Sequence, residues 1–484
     1  MDDKSIQKNY IYNLAYQMLL VAAPLVTTPH ISRALGSDGV GAVSYAESIV
    51  AYFTLFAKMG LTTYGQRTTS YLRDSVERRT IAFWNTKLLE LCSSALTLGV
   101  YIVFALFQRQ RALYLILSLN ILAVSFDVTW FFQGMEEFGK IVLRNAVVKL
   151  LNIVYIFLAV RDRGDVGLYA LGLAGFTLLG NVTLWGYLPR YLTKVPLAKL
   201  HPFRDIRTVL SLFIPTIAIQ VYTVLDKTMI GLITRSDFEN GYYEQAVKVS
   251  KTLLMIVTAL GTVMVPRIGY YFAQRNESEI RRLMYRGYRF VWFLGVPLCL
   301  GLVMTAGNFV PWFYGPGYDK VRPLLQMLAF LILAIGVSNV TGFQYLVPTE
   351  RQGLFTLSVV LGACLNFVLN MILIRRLQSV GAAVASVAAE MFVAAFQLFL
   401  VRREISPWRV VREGTNYYFA GAVMTAALWL LGRRLTASVV HSMVLMIAGA
   451  AVYFAVLLAL GDPFVLENAR WLLRRLRIRS GREP

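Results

Sequence analysis

Residues 121–134 read ILAVSFDVTWFFQG, and residues 332–345 read ILAIGVSNVTGFQY. Ile-Leu-Ala opens both, and a later Phe-Gln falls in the same register. The correspondence continues down the chain. LNIVYIFLAV at 151–160 answers LNFVLNMILI at 365–374, and Val166-Gly167 falls on Val380-Gly381. Earlier, the stretch from Gly41 to Arg67 parallels that from Gly241 to Arg267. The common order and nearly constant offset mark an internal repeat. Six apolar runs lie within one repeat, an even number, so both halves enter a membrane the same way up. The fold predicted is all-α and integral to a membrane. It has about 14 transmembrane helices: two six-helix lobes related by an axis along the membrane normal, plus two C-terminal helices.

Composition supports the membrane reading. Of 484 residues, 57% are apolar and only 15% charged, against about 25% charged in ordinary soluble domains. Too few polar residues exist to cover so much apolar surface in water. That excludes a soluble enzyme, a disordered chain and a nucleic-acid-binding domain. A span needs about 20 residues, so 14 spans use roughly 280. Apolar runs are read near 10–33, 40–65, 82–107, 112–132, 143–160, 166–188, 208–233, 241–265, 288–314, 322–347, 353–374, 379–401, 416–432 and 438–460. Aromatic clusters at run ends, Trp130-Phe131-Phe132 and Trp312-Phe313-Tyr314, are expected at membrane interfaces.

The 48 Lys and Arg against 27 Asp and Glu give a charge of +21. In a membrane protein the excess belongs in cytoplasmic loops. With the N-terminus inside, about 30 basic residues fall in inner segments and about 12 in outer ones. The inner loops are Arg73 to Arg79, Arg190 to Arg207, Arg275 to Arg289 and Arg402 to Arg412. Both termini are therefore expected in the cytoplasm. The polar, acidic start MDDKSIQKNY lacks the basic n-region of a signal peptide, so the first span is expected to remain as an anchor. The organisation expected is a six-helix lobe over 1–195, a second over 196–404, two further helices over 405–460, and a basic cytoplasmic tail over 461–484. That tail mixes Trp471 and several leucines with five arginines from Arg470 to Arg479. Its pattern suits either a helix lying on an anionic leaflet or a frayed basic end. Cys92, Cys299 and Cys364 are widely separated in apolar runs, which suggests neither a disulfide frame nor a metal site. No cofactor is expected.

Charges inside the apolar runs carry the functional signal, because each costs at least about 2.5–3.5 kcal/mol at mid-bilayer. Glu47 and Lys58, Lys87 and Glu90, Asp127, Arg144 and Lys149, Asp226 and Lys227, Glu244, Lys248 and Lys251, and Glu390 all fall there. Lys87 and Glu90 stack three apart and read as a buried structural ion pair. Glu244 and Lys248, four apart, share a helix face and can pair, and Lys251 leaves a surplus positive charge. Surplus lysines suggest an anionic ligand such as phosphate. Buried carboxylates can take up protons, so Glu47, Asp127, Asp226 and Glu390 are candidates for coupling to protons or sodium. Asp226 and Lys227 point about 100° apart and need not pair with each other.

The stretch KNYIYNLAYQMLLVAAPLVTTPHISRALGSDGVGAVSYAESIV, followed by GLTTYGQR and YLRD, resembles the start of Wzx-type oligosaccharide flippases. VLDKTMIGLI, GYYEQAVKVSK and MVPRIG resemble their seventh and eighth spans. The likeness covers roughly residues 5–400. That family belongs with the multidrug, oligosaccharidyl-lipid and polysaccharide exporters. The resemblance implies transport of undecaprenyl-pyrophosphate-linked oligosaccharide from the inner to the outer leaflet by alternating access, in a bacterial cytoplasmic membrane. It implies that cationic cavity residues face the pyrophosphate and sugar. The matching candidates are Arg33, Lys227, Lys248 and Lys251. The partners expected are the lipid-linked oligosaccharide, membrane lipid and a polysaccharide polymerase machinery. A cation-coupled multidrug or metabolite antiporter, or a peptidoglycan lipid II flippase, is the alternative on this scaffold. A membrane enzyme needs a large loop or metal ligands, and an ATP-driven pump needs GxxxxGK[ST]; the sequence has neither.

Overall fold

The computed structural model describes the backbone of residues 3–466, with side chains from Met18 onward except those at 215, 218, 219, 221, 262 and 263. The basic segment from Glu467, read as either a helix on an anionic leaflet or a frayed basic end, falls outside the described residues. Among the described residues the regular structure is entirely helical. Each of the fourteen expected runs falls on helix. Among the described residues ten stretches are long and apolar enough to cross a membrane, and one of them, Met18–Tyr71, holds most of the first expected run and all of the second. The protein is a multi-pass integral membrane protein.

Packing groups the chain into two compact units. The first comprises, among the described residues, 3–244 with 370–379. Its helices are α1 (Asp3–Lys58), α2 (Leu61–Tyr71), α3 (Val76–Leu106), α4 (Arg111–Ser125), α5 (Thr129–Gly134), α6 (Phe138–Ala159), α7 (Val166–Leu184), α8 (Ile206–Thr234) and the start of α9 (Asp237–Thr258). The second comprises, among the described residues, 245–369 and 380–466. It holds the rest of α9, α10 (Gly261–Ala273), α11 (Glu277–Tyr314), α12 (Val321–Leu328), α13 (Leu331–Ser338), a π-helical stretch (Asn339–Leu346), most of α14 (Gln352–Leu377), α15 (Ser379–Leu400), α16 (Pro407–Arg412), α17 (Thr415–Gly432) and α18 (Val439–Ala459).

The first two expected runs are joined without a loop. Gly36 alone breaks α1, at φ 70° and ψ 173°, a conformation that a residue with a Cβ rarely adopts. Other runs are interrupted inside. The second breaks at Met59-Gly60, both with positive φ. The fourth breaks between α4 and α5, and Asp127 stands in the gap. There its carboxylate accepts the backbone N–H of Thr129 at 2.9 Å, meeting one of the free donors that begin α5.

The core of the first unit packs Leu35, Val43, Tyr101, Leu117 and Ile121 between α1, α3 and α4, all fully or almost fully buried. A second cluster gathers the aromatic run end. Trp130, Phe131 and Phe132 are fully buried and pack with Phe83 and Leu184. The reason is local. Gly65 leaves room on α2, and the Trp130 ring occupies it: a Cβ at Gly65 would come within 2.5 Å of that ring. Phe313 and Tyr314 are likewise buried, in the second unit.

Candidate functional site

Within the first unit, α1 and α9 approach until their backbones touch. A Cβ on Gly41 would overlap the carbonyl oxygen of Asp237, and a Cβ on Gly241 would overlap that of Ser37. Only glycine permits this approach. The crossing brings the polar side chains that follow on both helices into one cluster with α8. Asp226 and Lys227, adjacent on α8, diverge as helix geometry requires. Asp226 accepts hydrogen bonds from the Tyr243 hydroxyl at 2.6 Å and from Asn370 Nδ2 at 2.7 Å. Lys227 forms an ion pair with Glu244, and Ser44 donates to the same carboxylate at 3.0 Å. Glu47 and Asp226 also lie within electrostatic reach of the Lys227 ammonium. One turn along, Thr228 donates to Ser48 Oγ at 3.0 Å. Glu244, spaced to pair with Lys248, is thus engaged by a lysine of another helix.

A second polar site lies deeper in the same unit. A cavity of about 270 Å³ is lined by Glu47, Thr54, Lys58, Asn120, Asp127 and Asn181 among others. Lys58 Nζ stands 4.0 Å from Asp127 Oδ2. Asn181 is fixed by donating to the Ala123 carbonyl at 2.8 Å and accepting from Arg144 at 3.3 Å. Beside it, Lys87 and Glu90 form the expected pair at 2.6 Å, with no exposure of either side chain. Lys87 also donates to the Asp127 carbonyl at 2.9 Å, so the pair braces the helix break.

The two sites bring several sequence candidates together: Asp226, Lys227 and Glu47 in the first, Glu47 and Asp127 in the second. Arg33 is exposed on α1, where it donates to the Pro29 carbonyl at 3.4 Å. In the second unit, Lys248 is half-buried and makes no ion pair among the described residues, Lys251 is exposed, and Glu390 is half-buried on α15. Just before the expected span 241–265, Asp237 accepts from Gln110 at 3.2 Å. Burial pushes its carboxyl above the usual carboxylate range; the Gln110 bond opposes this and Asp38 adds to it. Ser44, Tyr243, Asn370, Asn120 and Asn181 escaped the sequence reading because they carry no charge. Asparagine inside an apolar run was the available signal, since an amide in hydrocarbon also needs a partner.

A family model described as a polysaccharide biosynthesis protein matches residues 6–272. The chain belongs to this family. The model of the lipid II flippase MurJ also matches, over residues 146–449. Among curated relatives, the "Putative O-antigen transporter" of Escherichia coli K12 is 21% identical over 82% of this chain and 97% of its own. The "Probable flippase AglR" of Haloferax volcanii is 24% identical over 50% of this chain and 51% of its own. Among solved structures, a lipid II flippase MurJ in an inward closed conformation superposes with a TM-score of 0.70 at 13% identity, covering 93% of this chain and 97% of that one. An inward-facing multidrug resistance MATE transporter gives 0.60 at 12% identity, over 82% and 96%. The family member therefore has the fold that MurJ and MATE transporters share.

Proposed function

We propose that this family member is a flippase that carries a lipid-linked oligosaccharide across a bacterial cytoplasmic membrane, by alternating access and from the inner to the outer leaflet. The observation that supports it is the charged cluster of α1, α8 and α9 inside otherwise apolar helices, in a chain of the polysaccharide biosynthesis family. Transporter and flippase relatives support the same reading. A buried ion pair is weak evidence for stability, since replacing it with apolar groups is often neutral or better.

In this reading Arg33, Lys227, Lys248 and Lys251 attract the pyrophosphate of an undecaprenyl-type carrier. They do not contribute equally. Lys227 must leave Glu244 before it can meet a phosphate, whereas Lys248 has no carboxylate to leave. Lys248 is therefore the first contact. Glu47, Asp127, Asp226 and Glu390 are the proposed coupling carboxylates, with Glu47 and Asp127 sharing a cavity of a size to admit a hydrated cation or a proton-carrying water. The two-lobe division at 195/196, the two added helices over 405–460, and the cytoplasmic placement of both termini belong to the same proposal. The test is complementation of a flippase-null strain, with the accumulated lipid-linked sugar identified by mass spectrometry. Restored surface polysaccharide is expected; failure in every polysaccharide-deficient strain tested, with normal protein in the membrane, overturns it. The MurJ match over 146–449 favours one second reading, a lipid II flippase. Rescue of a strain depleted of its lipid II flippase, and of no polysaccharide mutant, would establish that reading instead.

A further inference from the structure

In the second unit, at the start of α11, arginines gather far in sequence from the candidates above. Arg282, Arg286 and Arg289 follow one another at helical spacing along one face, with Arg281 beside them. The short helix α16 packs against this face. Trp292 Nε1 donates to the Val410 carbonyl at 3.0 Å, and the Arg409 guanidinium stacks 4.1 Å over the Tyr285 ring. Between the helices lies a cavity of about 460 Å³, lined by Arg281, Arg282, Arg286, Arg289, Arg409 and Glu413 among others. A cavity of about 480 Å³ shares Arg289, Arg409 and Glu413 with it and adds Arg412, Trp408 and Asp462, whose carboxylate accepts from Asn416 at 3.1 Å and Tyr417 at 3.2 Å.

The charge does not balance. Glu413 serves both Arg289 and Arg409, Asp462 lies within electrostatic reach of Arg289, and Glu279 serves Arg282, three carboxylates against six arginines. Arg281, Arg286 and Arg412 make no ion pair among the described residues. By sequence the chain beyond Leu466 carries six arginines against Glu467 and Glu483 and so adds to the positive charge on balance. A planar guanidinium fork matches phosphate oxygens, and several around one cavity form a phosphate site. The apolar flank of the cleft points to what carries that phosphate. Trp408 is 76% exposed, and Val411, between Arg409 and Arg412 on α16, is also exposed. Exposed tryptophan next to arginine is the pattern of a membrane interface.

We propose that the arginine cleft of α11 and α16 binds the phosphate of an anionic phospholipid in the adjoining leaflet, with Trp408 and Val411 against its acyl chains. That leaflet is the cytoplasmic one if the orientation given above holds; the binding itself does not depend on orientation or on the transported substrate. The full-length protein, purified in detergent, is exposed to mixed micelles of phosphatidylglycerol and phosphatidylcholine and weighed intact by native mass spectrometry. Wild type retains phosphatidylglycerol in preference. The variant R281Q/R286Q/R412Q loses that preference by about tenfold or more, on the scale of removing three interfacial arginines, while R433Q/R434Q, at the far end of α17, keeps it. A competition on wild type alone needs no variant: millimolar inorganic phosphate leaves the bound lipid in place. Equal retention of the two lipids by wild type, an unchanged preference in the triple variant, or displacement by inorganic phosphate would each overturn the proposal. Failure of complementation with lipid binding intact would strike the flippase reading and leave this one standing.

Discussion

Gly41 of α1 and Gly241 of α9 lie back to back, each under a carbonyl that precedes the other by four residues, Asp237 for Gly41 and Ser37 for Gly241. The two glycines are also partners in the internal repeat, as are Ser37 and Asp237. The contact therefore maps onto itself when the repeats are exchanged. Continuing outward, Ser44 and Glu244, again matched in the repeat, are joined by a hydrogen bond. A local two-fold relationship runs through this crossing, and the polar cluster begins where it ends.

Because no side chain fits at the crossing, Gly41→Val and Gly241→Val should each destabilise the protein by about 4 kcal/mol or more, the range of severe packing errors. The two face the same contact, so the double variant should fall well short of the sum. Thermal unfolding of the detergent-purified protein, followed by tryptophan fluorescence, measures this. Additive effects would show that the glycines act separately.

Lys87 and Glu90 offer a contrasting test. Lys87→Met leaves a fully buried carboxylate alone and should cost about 3–5 kcal/mol, whereas Lys87→Met with Glu90→Met should recover much of the loss. Midpoints of thermal unfolding decide it. A double variant no more stable than Lys87→Met would point to the Asp127 carbonyl bond, rather than the ion pair, as the main contribution of Lys87.

Asp127 has a structural duty and a proposed coupling duty, and two substitutions separate them. Asp127→Asn keeps an oxygen for the Thr129 N–H and should hold stability within about 0.5 kcal/mol, while removing the charge facing Lys58. Asp127→Ala should cost about 0.5–2 kcal/mol through loss of the cap. If Asp127 couples transport to a cation, Asp127→Asn folds normally yet ignores an imposed proton or sodium gradient in proteoliposomes. A wild-type gradient response in that variant removes Asp127 from the coupling set.

For the headgroup role, Lys248→Ala should reduce translocation several-fold at normal membrane levels, on the order of one lost charge-assisted contact. Lys227→Ala should reduce the amount of folded protein as well, because it strands Glu244. Surface polysaccharide and membrane abundance, measured in the same cells, separate the two. Normal polysaccharide from Lys248→Ala and Lys251→Ala, singly and together, would refute the role given to these lysines.

Asp237 should give a pH signature. Its carboxyl holds a proton more tightly in the folded state than in the unfolded chain. The folded state therefore binds more protons between the two values, and stability falls as pH rises through that window. Above it the deficit is constant. Asp237→Asn abolishes this slope and should equal or exceed wild type near neutral pH, the two converging in acid. Unfolding midpoints across the acid range test the sign; a wild type that gains stability over Asp237→Asn on going from acid to neutral would contradict it.

Much of this architecture is legible in the sequence. Hydropathy marks where helices must lie, since the bilayer sets their length, and the even count between repeats sets their relative sense. What hydropathy cannot show is a break within a run. Met59-Gly60 and the π-helical stretch at 339–346 interrupt helices without any charge, and at Phe126 to Val128 the charge of Asp127 reads as a candidate site rather than as a break. The site was half legible for a similar reason. Lys87 and Glu90 sit on one helix, so spacing revealed their pairing, while the partner of Glu244 came from α8, which no spacing rule reaches. The neutral hydrogen-bonding residues Ser44, Tyr243, Asn181 and Asn370 raised no signal of charge.

The single-residue bend at Gly36 has a practical corollary for topology mapping. Reporter enzymes, epitope tags and protease sites are commonly spliced into the turn between consecutive spans, on the assumption of spare chain there. Between the first two spans of this protein there is none, so an insertion at 35–38 would wrench two long rods apart instead of decorating a surface. Sidedness at this end is better read by labelling single cysteines introduced at positions already exposed, such as Arg33.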